Sequence, residues 1–121
     1  MGRRDRESQP DFSRRCEMIA RFWTAKTTQA EAPIYASHLK SQVLATLRKV
    51  DGYVGARLLK RQTPDGVEIV VITLWRSLDS IRNFAGADLE EAVVSEEVVP
   101  LLLQYDRRVR HYEVVVEDDV S

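Results

Sequence analysis

Cysteine occurs once in this chain and histidine twice, and glycine and proline are sparse at five and four of 121 residues. The single Cys16 has no partner for an internal disulfide and no ligand cluster around it, which suits a reducing, cytoplasmic setting. A net charge of only -1 offers no source for the phosphate neutralisation that drives nucleic-acid binding. Long apolar runs are missing too. The longest, "IVVITLW" and "VVPLLL", are far too short to span a bilayer, so neither nucleic acid nor membrane is expected as a partner. The opening "MGRRDRESQPDFSRR" lacks the apolar segment of a secretory signal and reads as a flexible polar arm over 1–15. Residues 117–121 read as an acidic tail, leaving one folded domain over 16–116.

What remains is ordinary globular composition, 44% hydrophobic and 31% charged, with a clear order of elements. "EMIARFWTA" reads as a first strand. Tyr35, Leu39, Val43, Leu47 and Val50 follow at spacings of four, four, four and three, which predicts a helix with one apolar face. Pro33 suits its first turn and Gly52 its end. His38 sits beside this stripe and reads as a boundary residue half in solvent. "YVGARLLKRQ" and "VEIVVITLW" are strands joined by "TPDG", a hairpin turn. Ser77 caps a short helix, "LDSIRNFA", broken by Gly86. Asp88 and Glu91 have capping-box spacing, which predicts a second helical segment through "EEAVV", completed by "LLLQY" beyond Pro100. "VRHYEVVVE" is the last strand.

The order β-α-β-β-α-β predicts an α+β, ferredoxin-like fold: a four-stranded antiparallel sheet with both helices on one face. The third strand is apolar at nearly every position, where a strand with one wet face would alternate. Both sheet faces therefore need cover, and a second copy supplies the missing one, which predicts a homodimer through the sheet face.

The residues "MIARFW", "GYVGARLL", "VITLWRS", "IRNFAGADLEEAVV" and "HYEV", in this order, resemble the antibiotic biosynthesis monooxygenase domain family over roughly Met18 to Val115. That resemblance implies a dimeric α/β barrel. It also implies activities ranging from cofactor-free oxygenation of phenolic, quinol or polyketide-like molecules to haem degradation. The haem branch uses a first-strand asparagine and a histidine in the second helical region. Phe22 and Val94 stand at those positions here, so haem degradation is not expected, and neither cofactor nor metal is.

A cofactor-free oxygenase needs an apolar pocket, a base, and a donor or cation to steady an anion. His111, the one strand histidine, is the candidate base, and Arg21, mid-strand among apolar residues, the candidate anion partner. Trp75 matches the tryptophan that ends the third strand in the haem branch, and it joins them as a candidate catalytic residue. Trp23, Phe22 and Phe84 are candidate pocket walls. Structural readings stand beside these. Arg21 could pair with Glu113, the tryptophans could be core, Ile81 and Phe84 could face the core, and His111 could serve only to hydrogen-bond within the sheet. A non-catalytic ligand-binding dimer is the alternative function.

Overall fold

The computed structural model describes residues 18–119. The polar arm, Cys16 and the last two residues of the acidic tail lie outside them. Strand β1 (Ile19–Thr27) leads into helix α1 (Ala32–His38), a π turn (Leu39–Val43) and helix α2 (Leu44–Leu47). Strands β2 (Tyr53–Thr63) and β3 (Gly66–Trp75) follow, then helix α3 (Leu78–Ala85), a 3-10 turn (Val99–Leu101), β4 (Leu102–Tyr105) and β5 (Arg110–Glu113). The sheet is antiparallel throughout, ordered β2-β3-β1-β4, with β5 also paired to β1. This is the ferredoxin-like arrangement, with β1 between the third and last strands. Among the described residues no helix is long and apolar enough to cross a membrane.

The hairpin closes at Pro64–Asp65, with Thr63 opposite Gly66. Gly66 has φ +146°, and a Cβ there would lie 2.6 Å from the Thr27 carbonyl oxygen, so both conformation and space demand glycine. Ser77 is extended and accepts the Ser80 N–H at 3.1 Å, satisfying one orphan donor at the start of α3. Gly86, at φ +91°, ends that helix.

The helical stripe explains the π turn. On a 3.6-residue helix each step of four overshoots one turn by about 40°, so Tyr35, Leu39, Val43 and Leu47 would wind off a single face. In Leu39–Val43 the turn is wider, the Leu44 N–H donating to the Leu39 carbonyl five residues back. That brings the stripe back into line: Tyr35, Leu39 and Leu47 are all buried.

Two expectations fail beyond Gly86. No helix starts at Asp88. Its carboxylate accepts the Glu90 N–H at 3.2 Å and two donors of Arg108 at 2.7 and 3.3 Å, closing a turn rather than a capping box. Glu91 then bridges Arg108 in β fashion, the Ala92 N–H reaching the Arg107 carbonyl and the Val109 N–H the Glu90 carbonyl. The β-branched Val93 and Val94 fit this irregular path better than a helix. "LLLQY" is not helical either. Pro100 sits in a single 3-10 turn, after which Leu102–Tyr105 pairs with β1 at Ala25–Thr27, a stretch that β5 does not reach. The sheet thus has five strands where four were expected, and the last is shortened to Arg110–Glu113.

Along β3, buried and half-buried residues alternate without a break. Val67, Ile69, Val71, Thr73 and Trp75 face the helices; Val70, Ile72 and Leu74 face the other way, beside Phe22 and Ala20 of β1. The core under the helices falls into two clusters, one around Tyr35, Leu39, Ile69 and Val98, the other around Leu47, Trp75 and Ile81.

Candidate functional site

Between the two clusters one cross-sheet row is polar. His111 of β5 pairs with Arg21 of β1, Arg21 with Thr73 of β3, and Thr73 with Ala56 of β2. Arg21 and Thr73 are buried at 5% and 7% exposure, and only Thr27 joins them as a buried polar residue among those described. A cavity of about 310 Å³ opens over Arg21 and Thr73 of this row. Its floor is Arg21, Trp23, Val71 and Thr73; one wall is the face of α1, the π turn and α2; Phe84 and the irregular stretch around Val93–Val98 complete it.

Arg21 is the charged group of this floor. Its Nη1 donates to the Leu89 carbonyl at 2.6 Å and lies 3.1 Å from His111 Nε2; its Nη2 donates to the Glu91 carbonyl at 2.9 Å. The expected alternative, a Glu113 ion pair, is not formed: Glu113 stands opposite Ile19, and no described carboxylate neutralises Arg21. Burial pushes the guanidinium down to about 10, which still leaves it charged at neutral pH. Its carbon lies 5.7 Å from the centre of the Phe84 ring, within cation–π reach.

His111 completes that arrangement. Because Arg21 can only donate, Nε2 must accept, and the imidazole is neutral with its proton on Nδ1. Burial, and then the neighbouring Arg21 charge, lower its pKa from 6.5, against a smaller raising effect of Glu90. His111 is not among the residues lining the cavity.

The other candidates part company. Trp23 and Phe84 line the cavity; the Trp23 Nε1–H donates to the Asp106 carbonyl at 2.7 Å, which fixes the indole plane. Asp106 accepts from Thr24 Oγ1 at 2.6 Å in the gap between β4 and β5. Trp75 is fully enclosed, stacked behind Phe84 at 5.7 Å and donating to Thr73 Oγ1 at 2.8 Å; it supports the wall without forming it. Phe22 points to the opposite sheet face, edge-on to Tyr112 at 5.2 Å.

Two cavity residues were missed in the sequence. Tyr35 is 5% exposed and lines the cavity, and its hydroxyl has no hydrogen-bond partner among the described residues. Burial pushes it up to about 12, so it remains a donor. His38 also lines the cavity, with Nδ1 3.9 Å from Glu97 Oε1. A signal for it exists: His38, Gln42 and Thr46 form a polar stripe at the same spacing of four as the apolar one, and all three line the cavity.

The family's iron-binding arrangement does not fit these residues. The segment carrying Val94 is not helical, Phe22 faces away, and His111 Nε2 is engaged by Arg21. Among the described residues no three His, Cys, Asp or Glu side chains are gathered as metal ligands.

No family model matches the sequence, and no curated protein matches it. Solved structures do. A Bacillus cereus protein described as an antibiotic biosynthesis monooxygenase superposes with a TM-score of 0.60 at 18% identity, covering 86% of this chain and 99% of the other. A heme-degrading protein from Mycobacterium tuberculosis gives 0.59 at 14% identity, over 87% and 99%. A Streptomyces coelicolor monooxygenase, solved in complex with nanaomycin D, gives 0.52 at 16% identity, over 88% and 93%. Across nearly its whole described length, this chain has the antibiotic biosynthesis monooxygenase fold.

Proposed function

We propose that the protein is a cofactor-independent monooxygenase of the cytoplasm, acting on a small phenolic, quinol or polyketide-like molecule. The observation that carries this is a buried guanidinium, Arg21, without a carboxylate partner among the described residues, on the floor of an otherwise largely apolar cavity. Such a site favours an aromatic ring bearing an oxyanion. Deprotonating a phenol beside an activated methylene gives an electron-rich anion that can reduce dioxygen itself. The balance is CH2 plus O2 giving C=O plus H2O, with both C–H bonds broken and no outside reductant. Arg21 holds the oxyanion, Trp23 and Phe84 flank the ring, His111 keeps Arg21 in place, and Trp75 backs Phe84. Monooxygenases among the structures of this fold support the reading, as does the small molecule, nanaomycin D, bound in one of them.

The same proposal includes a homodimer through the open sheet face. Val70, Ile72 and Leu74 lie there beside Phe22, with Leu59 and Tyr112 about half exposed at its edges, an apolar surface that a second copy would cover.

Oxygen uptake with a panel of hydroquinones and anthrone-like compounds tests the activity, with Arg21→Met as the control that loses it. Uptake equal to the buffer rate across the panel, with binding retained, leaves the second reading, a ligand-binding dimer without turnover.

A further inference from the structure

Besides Arg21, the cavity lining holds a histidine and a carboxylate that have been given no role: His38, at the end of α1, and Glu97, in the irregular segment that roofs the cavity. The His38 side chain is 15% exposed and that of Glu97 80%, so the imidazole is inside and the carboxylate reaches solvent. Nδ1 is the ring nitrogen turned toward Glu97, at 3.9 Å, which leaves Nε2 for a ligand. At 3.9 Å the contact is an ion-pair separation rather than a hydrogen bond, and it sets a carboxylate beside the ring. The π turn begins at the next residue, and such turns recur at functional sites because they re-aim side chains.

His111 is differently placed. The lone pair of its Nε2 is occupied by the Arg21 N–H, and a proton there would set two cations face to face. The two histidines therefore divide the work that the sequence assigns to one.

We propose that His38, backed by Glu97, is the catalytic base of the cavity, and that His111 is a positioning residue for Arg21. The inference rests on the functional reading above. In the step, the substrate O–H bond breaks, the proton passes to His38 Nε2, and the electron pair stays on the oxygen, which Arg21 receives.

With two histidines in the chain, ring-nitrogen NMR reads both at once. The probe is para-cyanophenol, a phenol with no methylene to oxidise, added to the full-length protein. The pH is set above the ordinary histidine range and below the probe's own ionisation. The expected result is that the His38 ring becomes imidazolium as the probe binds while His111 stays neutral, His38→Gln and His111→Gln serving to assign the signals. A His38 ring that stays neutral with probe bound, or protonation of His111 instead, overturns the inference. A His38 imidazolium in a protein that consumes no oxygen overturns the oxygenase reading alone; no binding by the wild type overturns both. Where turnover is found, His38→Gln should lower kcat by about 10²–10⁴-fold, as loss of a general base does.

Discussion

Arg21 Nη1 and His111 Nε2 meet at 3.1 Å across directly paired positions of β1 and β5, a cation donating to a neutral imidazole. Two strands far apart in sequence thus fix one another's side chains. The remaining acceptors of Arg21, the carbonyls of Leu89 and Glu91, belong to the segment beside the cavity roof, so the same guanidinium ties that segment down.

If His111 acts as an acceptor, a glutamine should replace it. His111→Gln offers an amide oxygen to Arg21 and should hold affinity for a phenol probe within about threefold. His111→Leu leaves a buried donor unpaired and should weaken it about tenfold or more. Isothermal titration with para-cyanophenol measures both, and equal losses in the two variants would contradict the acceptor role.

The pH response follows from the lowered His111 pKa. In the window between its folded value and the unfolded value of 6.5, the unfolded chain binds more protons, so folding stability rises with pH. The contribution is complete above 6.5 and is lost as pH falls through the folded value. Denaturation midpoints taken from pH 8 down to pH 5 should therefore fall more steeply for wild type than for His111→Gln, which has no such group to charge (about 6.5 marks the onset).

The two tryptophans should separate by assay. Trp75→Ala removes a fully enclosed indole and should cost about 3–5 kcal/mol of stability by urea denaturation. Trp23→Ala opens the cavity floor, so probe affinity should fall more than stability does. If Trp75→Phe changed probe affinity as much as Trp23→Ala, the placing of Trp23 in the lining and Trp75 behind it would be mistaken.

Assembly is tested on the open sheet face. Ile72→Asp places a charge at its centre, opposite Phe22, without entering the helix-side core. Sedimentation should show wild type at twice the mass of its chain and Ile72→Asp at one. A wild type sedimenting as a monomer removes the dimer from the proposal.

Much of this was legible in residues with local physics. "TPDG" marks its hairpin because turn chemistry is local, and Ser77 marks its helix because capping is local. The ferredoxin-like order sets the first strand beside the last, but not the Arg21–His111 contact, since register is set by packing across the whole sheet. The stretch after Gly86 misled because Asp88 does carry a turn signal, yet its partner is Arg108, twenty residues on. His38 was passed over because a 3.6-residue wheel puts it at the edge of the stripe, and the π turn is not visible on such a wheel.

The π turn also has a consequence for how such a chain could diverge. Removing one residue within Leu39–Val43 would let an unbroken α-helix run from Ala32 to Leu47. Because the wider turn absorbs one residue, the two halves of that helix would face nearly as they do now. With Leu47 anchored beside Trp75, Tyr35 and His38 would stay at the cavity. A one-codon deletion would thus erase the π turn while keeping the phenol and the imidazole in place and every strand in register.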